Sequence, residues 1–281
     1  MERRKFIQTT SAGIMAGMLM PEFVLAGISS KKHIGLQLYS LRDEIAQDLE
    51  GSLEKIAAIG YKNVEAASYS NGMFYGLKPA DFRKLVEKYG MKAISSHATF
   101  KDSEIAVAVN AHREAGIPYI VWPWIGTEER TTIDNYKTLA EKFNTIGMIC
   151  RENDLNFGYH NHDFEFYPIE GKIPYDLLLE STDPAYVFMQ IDLYWIVYAG
   201  KDPIALFEKY PGRFALWHVK DMAAGKSKKM TEVGSGVIDY KTLFEYASVS
   251  GMKEFFVEQD EIEGDGFESL KKSFNFLNNN I

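Results

Sequence analysis

Short runs rich in β-branched and aromatic residues alternate with longer stretches of helical periodicity along most of this chain. The strand-like runs are 33–41, 62–67, 92–99, 119–124, 156–162, 187–195, 214–221 and 254–260. Stretches 49–60, 78–90, 103–116, 131–153, 203–210, 239–248 and 266–278 repeat apolar residues at helical spacing, with a shorter one at 174–181. Their ends carry helix punctuation: Pro79 near the start of the second, and Gly60 and Gly90 as stops. Repeated strand-then-helix units leave two architectures, a closed parallel barrel or an open doubly wound sheet. The open sheet is expected to carry a G-x-G-x-x-G turn after a strand, and no strand-like run is followed by one. The pattern predicts an α/β chain folded as a (β/α)8 TIM barrel, an eight-stranded parallel barrel.

Residues 1–26 read differently. Paired arginines (Arg3, Arg4) and Phe6 precede a mildly apolar stretch from Ser11 to Met20, then Pro21 and the small-residue site Val24-Leu25-Ala26. That order predicts a secretory signal of the twin-arginine type, hence export to the periplasm. An apolar stretch of about ten residues is too short to span a bilayer, so no stable membrane anchor is expected. Residues 27–281 then match the roughly 250 residues of a single barrel domain. The formal net charge of −8 argues against nucleic acid and anionic membranes as partners. Cys150 is the one cysteine, which rules out an internal disulfide.

Parity sharpens the reading. Only every second side chain of a strand faces a barrel axis. His160 and His162 share one face of the fifth run; Asp192 stands opposite in sense to Met189 and Ile191 in the sixth. His218 shares its face with Lys220 in the seventh, and Glu258 with Asp260 in the eighth. The same rule places Glu65 and His97 of the second and third runs inward or at the rim. Imidazole and carboxylate groups thus gather at the C-terminal ends of four separate strands, where such barrels keep their active sites, in a pattern suited to a divalent cation.

The segments YHNHDFEF (159–166), AGKDP (199–203) after Asp192, HVKD (218–221), VGSGVIDY (233–240) and VEQD (257–260) resemble the xylose isomerase-like barrel family. This is the sugar phosphate isomerase/epimerase group, related to inosose dehydratase. The resemblance spans essentially all of 27–281. It implies one divalent ion at the barrel mouth, manganese first, with cobalt, magnesium or zinc as alternatives. Carried over by position, the ligands are His160, Asp192, His218 and Glu258. The sequence departs at the fifth strand, where many epimerases use a glutamate and this chain offers His160, with His162 two residues on and Glu165 at the rim. The two-glutamate epimerase mechanism does not transfer directly.

A divalent ion with nitrogen and oxygen ligands and an open position can chelate a carbonyl and its neighbouring hydroxyl, acidifying the adjacent C–H. Glu258 or His162 is the expected base. Lys220 either steadies developing oxyanion charge or simply pairs with Asp221 or Glu258. Returning the proton gives a sugar isomerase or epimerase, the leading expectation. Expelling a β-hydroxyl gives a hydro-lyase on a keto-sugar or keto-cyclitol, and a third reading is a non-catalytic sugar-binding barrel. Metal-dependent AP endonucleases share the barrel but need more metals and a basic face, which this acidic chain lacks.

The expected substrate is a free or oxidised sugar, because phosphorylated sugars are scarce outside the cytoplasm; a homo-oligomer is also expected. Its contacts are expected from Glu65, His97, Glu165, Trp122 and Trp195, with Tyr39, Trp124 and Tyr194 also near strand ends. Lys226, Lys228 and Lys229 form either an anion site or a solvated loop. His112 falls mid-helix, where packing is the expectation, and His33 opens the first strand at the opposite end.

Overall fold

Barrel interiors must be filled by side chains, and here the filling changes character from floor to mouth. The computed structural model describes residues 33–281; the expected signal segment 1–26 lies outside them. Eight parallel strands close the barrel: β1 (Gly35–Gln37), β2 (Asn63–Ala66), β3 (Lys92–His97), β4 (Tyr119–Trp122), β5 (Asn156–His160), β6 (Val187–Asp192), β7 (Leu216–Val219) and β8 (Glu254–Val257). Each pairs with its neighbours in sequence, and β1 pairs with β8 to complete the circle. The fold is the (β/α)8 barrel that the alternation predicts.

The helices around it are α1 (Leu49–Ile59), α2 (Pro79–Lys88), α3 (Ile105–Ala115), α4 (Ile133–Glu152), α5 (Pro174–Ser181), α6 (Pro203–Lys209), α7 (Tyr240–Glu245) and α8 (Gly266–Asn280). Their starts follow local chemistry. The carboxylates of Asp48, Asp202, Asp239 and Asp265 accept backbone N–H bonds at the first turns of α1, α6, α7 and α8. Proline opens α2, α5 and α6, where its missing N–H costs nothing.

Two apolar layers result. The larger lies between strands and helices and takes the outward-facing residues, among them Phe157, Tyr159, Met189, Ile191, Trp217 and Val257. The smaller plugs the barrel floor with Val121, Leu216 and Phe256, flanked by Ile94, Tyr119 and Phe188. Glycine makes that plug fit. A Cβ at Gly35 would stand 2.5 Å from the Phe256 ring, and one at Gly158 would stand 2.5 Å from the Phe188 ring. Above the plug the inward positions turn polar, at Gln37, Glu65, His97, His160, Gln190, Asp192, His218 and Glu258. The register between β2 and β3 shifts between Val64 and Glu65.

Two strand-like runs end sooner than the sequence suggests. The first gives way after Gln37 to a 3-10 turn (Leu38–Leu41) and a short helix (Arg42–Gln47). The sixth stops at Asp192, which caps a helix over Leu193–Tyr198, so Tyr194 and Trp195 are helical. Among the described residues, no helix is long and apolar enough to cross a membrane.

Candidate active site

Asp192 shows how the backbone aims a side chain. Its Oδ1 accepts the N–H of Trp195 at 3.0 Å as the helix cap, and its own N–H donates to Asn161 Oδ1 at 3.0 Å. Oδ2 is thereby turned across the mouth, 3.2 Å from His160 Nε2 and 3.9 Å from His218 Nδ1. Glu258 enters from β8, its Oε2 2.6 Å from the same His218 nitrogen. One ligand atom from each of His160, Asp192, His218 and Glu258 lies within 4.8 Å of every other, and all four residues are buried.

Chemistry as well as distance fits a cation. His218 Nδ1 and Glu258 Oε2 are buried 2.6 Å apart, and Lys220 Nζ lies 2.6 Å from the same carboxylate oxygen. A ring nitrogen and a carboxylate oxygen turned to one point are the arrangement of two ligands of one ion, and two imidazoles with two carboxylates suit zinc, manganese or cobalt.

His218 is fixed from behind. Its Nε2 donates to Glu65 Oε1 at 2.5 Å, and Glu65 also accepts from Gln37 Nε2 at 2.6 Å and Gln190 Nε2 at 2.7 Å. Gln190 Oε1 in turn lies 2.7 Å from His97 Nε2. Burial pushes Glu65 up, but His97 and His218 outweigh it and hold the carboxyl at about 2. With Nε2–H committed to an anion, His218 presents Nδ1 to the mouth, the carboxylate–histidine arrangement that orients metal ligands. Burial lowers His218 and the carboxylates of Glu258 and Glu65 raise it to about 10, so the ring holds a proton on Nδ1 that a cation bound there would displace. Burial and the neighbouring His218 bring His160 down to about 4.

Above the four lies a cavity of about 490 Å³ lined by Tyr39, His97, Trp124, His162, Trp195, Lys220 and Asp260, among others. Lys220 Nζ sits 2.6 Å from Glu258 Oε2, 3.0 Å from Asp192 Oδ2 and 3.0 Å from Asp260 Oδ2. Burial disfavours its charge, but Asp192 and then Asp260 hold the ammonium protonated. His162 packs edge-on against Trp124, with ring centroids 4.5 Å apart, and its Nδ1 has no hydrogen-bond partner among the described residues. Burial, with His160 and Lys220 adding to it, lowers its pKa to about 2, so the ring is neutral.

Several expected contacts need correction. Trp122 does not reach the cavity. It lies on the outward parity of β4, against Phe100 and Phe143, with Val121 taking the inward place. Glu165 turns behind β5, where its carboxylate accepts from the Tyr159 hydroxyl and from the His162 N–H at 3.0 Å. Glu65 is fully buried with both oxygens used, so it serves His218 rather than substrate. Asp221 does not pair with Lys220. Its carboxylate accepts the N–H groups of Met222, Gly234, Gly236 and Ile238 at 2.8–3.1 Å and pins the loop after β7. A Cβ at Gly236 would stand 2.3 Å from Asp221 Oδ1, which accounts for glycine there. Lys228 donates to Tyr198 O and Lys229 pairs with Glu263, so the loop lysines do not converge. Tyr194 donates its hydroxyl to Lys228 O. His112 is packed, as expected, with Nδ1 2.7 Å from Ala108 O.

Gln37, Gln190 and Asp260 are the functional-site residues the sequence reading passed over as contacts. A polar residue at an inward position of an otherwise apolar strand, as in GLQ and MQID, is the signal that points to the first two.

Residues 53–279 match the model of the xylose isomerase-like TIM barrel family. The chain belongs to that family. Among curated proteins, this xylose isomerase-like barrel is 28% identical over 165 residues to an inosose dehydratase of Clostridium tetani, covering 52% of this chain and 55% of the relative. The chain thus spans about half the length of that relative. Among solved structures, a sugar phosphate isomerase/epimerase of Parabacteroides distasonis is 29% identical, with a TM-score of 0.76 over 90% of this chain and 96% of that one. The IolI protein, solved with a bound zinc atom, shares the fold at 12% identity and a TM-score of 0.69, covering 88% of this chain and 97% of that one.

Proposed function

We propose that the protein is a divalent-metal-dependent enzyme that removes the proton beside the carbonyl of a sugar-like ketone and then expels a neighbouring hydroxyl, a hydro-lyase reaction. The observation that carries this reading is the convergence of His160, Asp192, His218 and Glu258 beneath a cavity whose wall holds a protonated Lys220. A cation on these ligands would supply Lewis-acid polarisation of the substrate carbonyl. Glu258, kept ionised by Lys220 and His218 against its burial, and His162, neutral with no hydrogen-bond partner for Nδ1 among the described residues, are the bases at the cavity wall. Lys220 is the acid within reach of Glu258, able to give a proton to departing hydroxide. Tyr39, Trp124 and Trp195 offer ring faces to the apolar side of a sugar.

Lys220 and the likeness to an inosose dehydratase favour elimination, as does the absence of a second glutamate at strand five. A sugar isomerase or epimerase is the second reading, favoured by the likeness to a sugar phosphate isomerase/epimerase of higher coverage. Both share the first step. The test is incubation of the manganese-loaded protein with inosose and a panel of keto-sugars in D2O, followed by mass spectrometry. Loss of one water from the product is expected. An unchanged formula with one deuterium incorporated would establish the isomerase reading instead, and neither exchange nor product across the panel would refute both. We further propose that residues 1–26 are a twin-arginine signal and that this chemistry takes place in the periplasm, tested by fractionating cells that express the full chain.

A further inference from the structure

Lys220 is met by three carboxylates, and the three differ in what else they do. Its Nζ lies 3.0 Å from Asp192 Oδ2 and 2.6 Å from Glu258 Oε2. Those same oxygens stand 3.2 Å from His160 Nε2 and 2.6 Å from His218 Nδ1. The ammonium and a cation on the four ligand residues would therefore draw on the same two atoms. Asp192 has no second oxygen to spare, because Oδ1 accepts the Trp195 N–H at 3.0 Å. Asp260 stands outside that set. Both of its oxygens accept from Lys220 Nζ, Oδ1 at 3.1 Å and Oδ2 at 3.0 Å. Its side chain is 25% exposed, against 0% for Asp192 and 4% for Glu258, so it meets the ammonium from the cavity side.

Backbone contacts aim that carboxylate. The Asp260 N–H donates to Met230 Sδ at 3.3 Å, and its carbonyl accepts from Arg42 Nη1 at 2.9 Å. Met230 follows β7 and Arg42 follows β1, the two strands that flank β8, so Asp260 is tied from both sides. A buried ammonium and a divalent ion that share two oxygens repel each other, and each needs a counter-charge of its own in a site of low dielectric. Asp192 and Glu258 serve the ion, which leaves Asp260 for Lys220. We propose that Asp260 is the positioning residue of Lys220: it draws the ammonium off the ligand oxygens and holds it on the cavity wall, where substrate meets it. Without Asp260 the ammonium would fall back on Asp192 and Glu258 and compete there with the ion. The inference deepens the proposed function and rests on its metal site, but not on which sugar is turned over.

The experiment is a double-mutant cycle of zinc affinity in the full chain, read by competition with a chromophoric chelator. Its corners are the native chain, Asp260→Ala, Lys220→Met and the double variant, each checked for folding by circular dichroism. Asp260→Ala should weaken zinc binding about tenfold or more while Lys220 is present. In the Lys220→Met background the same change should matter by no more than about threefold, because no ammonium remains to fall back on the ligands. A carboxylate acting only through its field would weaken zinc equally in both backgrounds, and that result would overturn the proposal. An Asp260→Ala chain that binds zinc as tightly as the native one would overturn it too. Asp260→Asn keeps the shape and loses the charge; it carries the same expectations and takes the place of Asp260→Ala if that chain does not fold. A native chain that takes up no zinc faults the metal site itself and the inference with it, a result distinct from zinc binding without coupling.

Discussion

Glu65→Gln isolates the fully buried network that holds His218. The side chain keeps its shape, but one acceptor oxygen becomes a two-hydrogen donor. Three donors now point at the carboxylate, from Gln37, His218 and Gln190 at 2.6, 2.5 and 2.7 Å. An amide oxygen can satisfy those on one side only, so at least one donor is left facing another donor. An unsatisfied buried donor costs about 1–3 kcal/mol, and losing the charge-assisted bond to His218 costs about as much again. The variant should therefore lose on the order of 3–5 kcal/mol of stability, read by urea denaturation with chelator present. Metal affinity should fall about 10–100-fold, because the anion behind the imidazole fixes which nitrogen is bare. Competition with a chromophoric chelator measures that fall. A variant that binds zinc within about threefold of the native chain would refute the assignment of Glu65 as the group that orients His218.

Other perturbations probe the scaffold. Asp221→Asn should leave two of the four loop N–H groups without an acceptor, costing about 2–6 kcal/mol and speeding tryptic cleavage at Lys226, Lys228 or Lys229; an unchanged cleavage rate would contradict the clamp. Burial raises Glu165 to about 8 in the folded chain against an ordinary value of about 4.5, so the folded state favours its protonated form. The stability this confers is present below about pH 4.5 and is lost as pH rises through about 8, by a few kcal/mol at most. Glu165→Gln should flatten the fall in melting temperature between pH 6 and pH 9 (two assay points about either side of the folded value), and an identical slope in both proteins would count against it. Gly158→Ala should cost about 1–3 kcal/mol through its clash with Phe188, and Phe188→Leu should recover part of that loss.

Strand parity carried most of what the sequence could say. A two-residue period forces Asp192, His218 and Glu258 to the side opposite Ile191, Trp217 and Val257, so their meeting followed once eight strands were assumed to close. Trp122 was misplaced because its neighbour Val121 holds the inward parity, and both residues are apolar enough to take either side. The strand-like run 187–195 outlasts the strand because Asp192 is both the last strand residue and the cap of the next helix, a double role invisible to periodicity. The role of Asp221 depends on a chain return across some fifteen residues, and that of Glu65 on contacts with strands one, six and seven. Neither is local, so neither left a spacing to read.

The central claim is that four side chains from β5 to β8 hold one divalent ion. Elemental analysis of the purified native chain, His160→Ala and His218→Ala, after dialysis against manganese and zinc, tests it most directly. The account predicts close to one ion per native chain and a large loss in both variants, with folding confirmed by circular dichroism. A folded native chain that retains no metal, or a His218→Ala chain that retains as much as the native one, would contradict it.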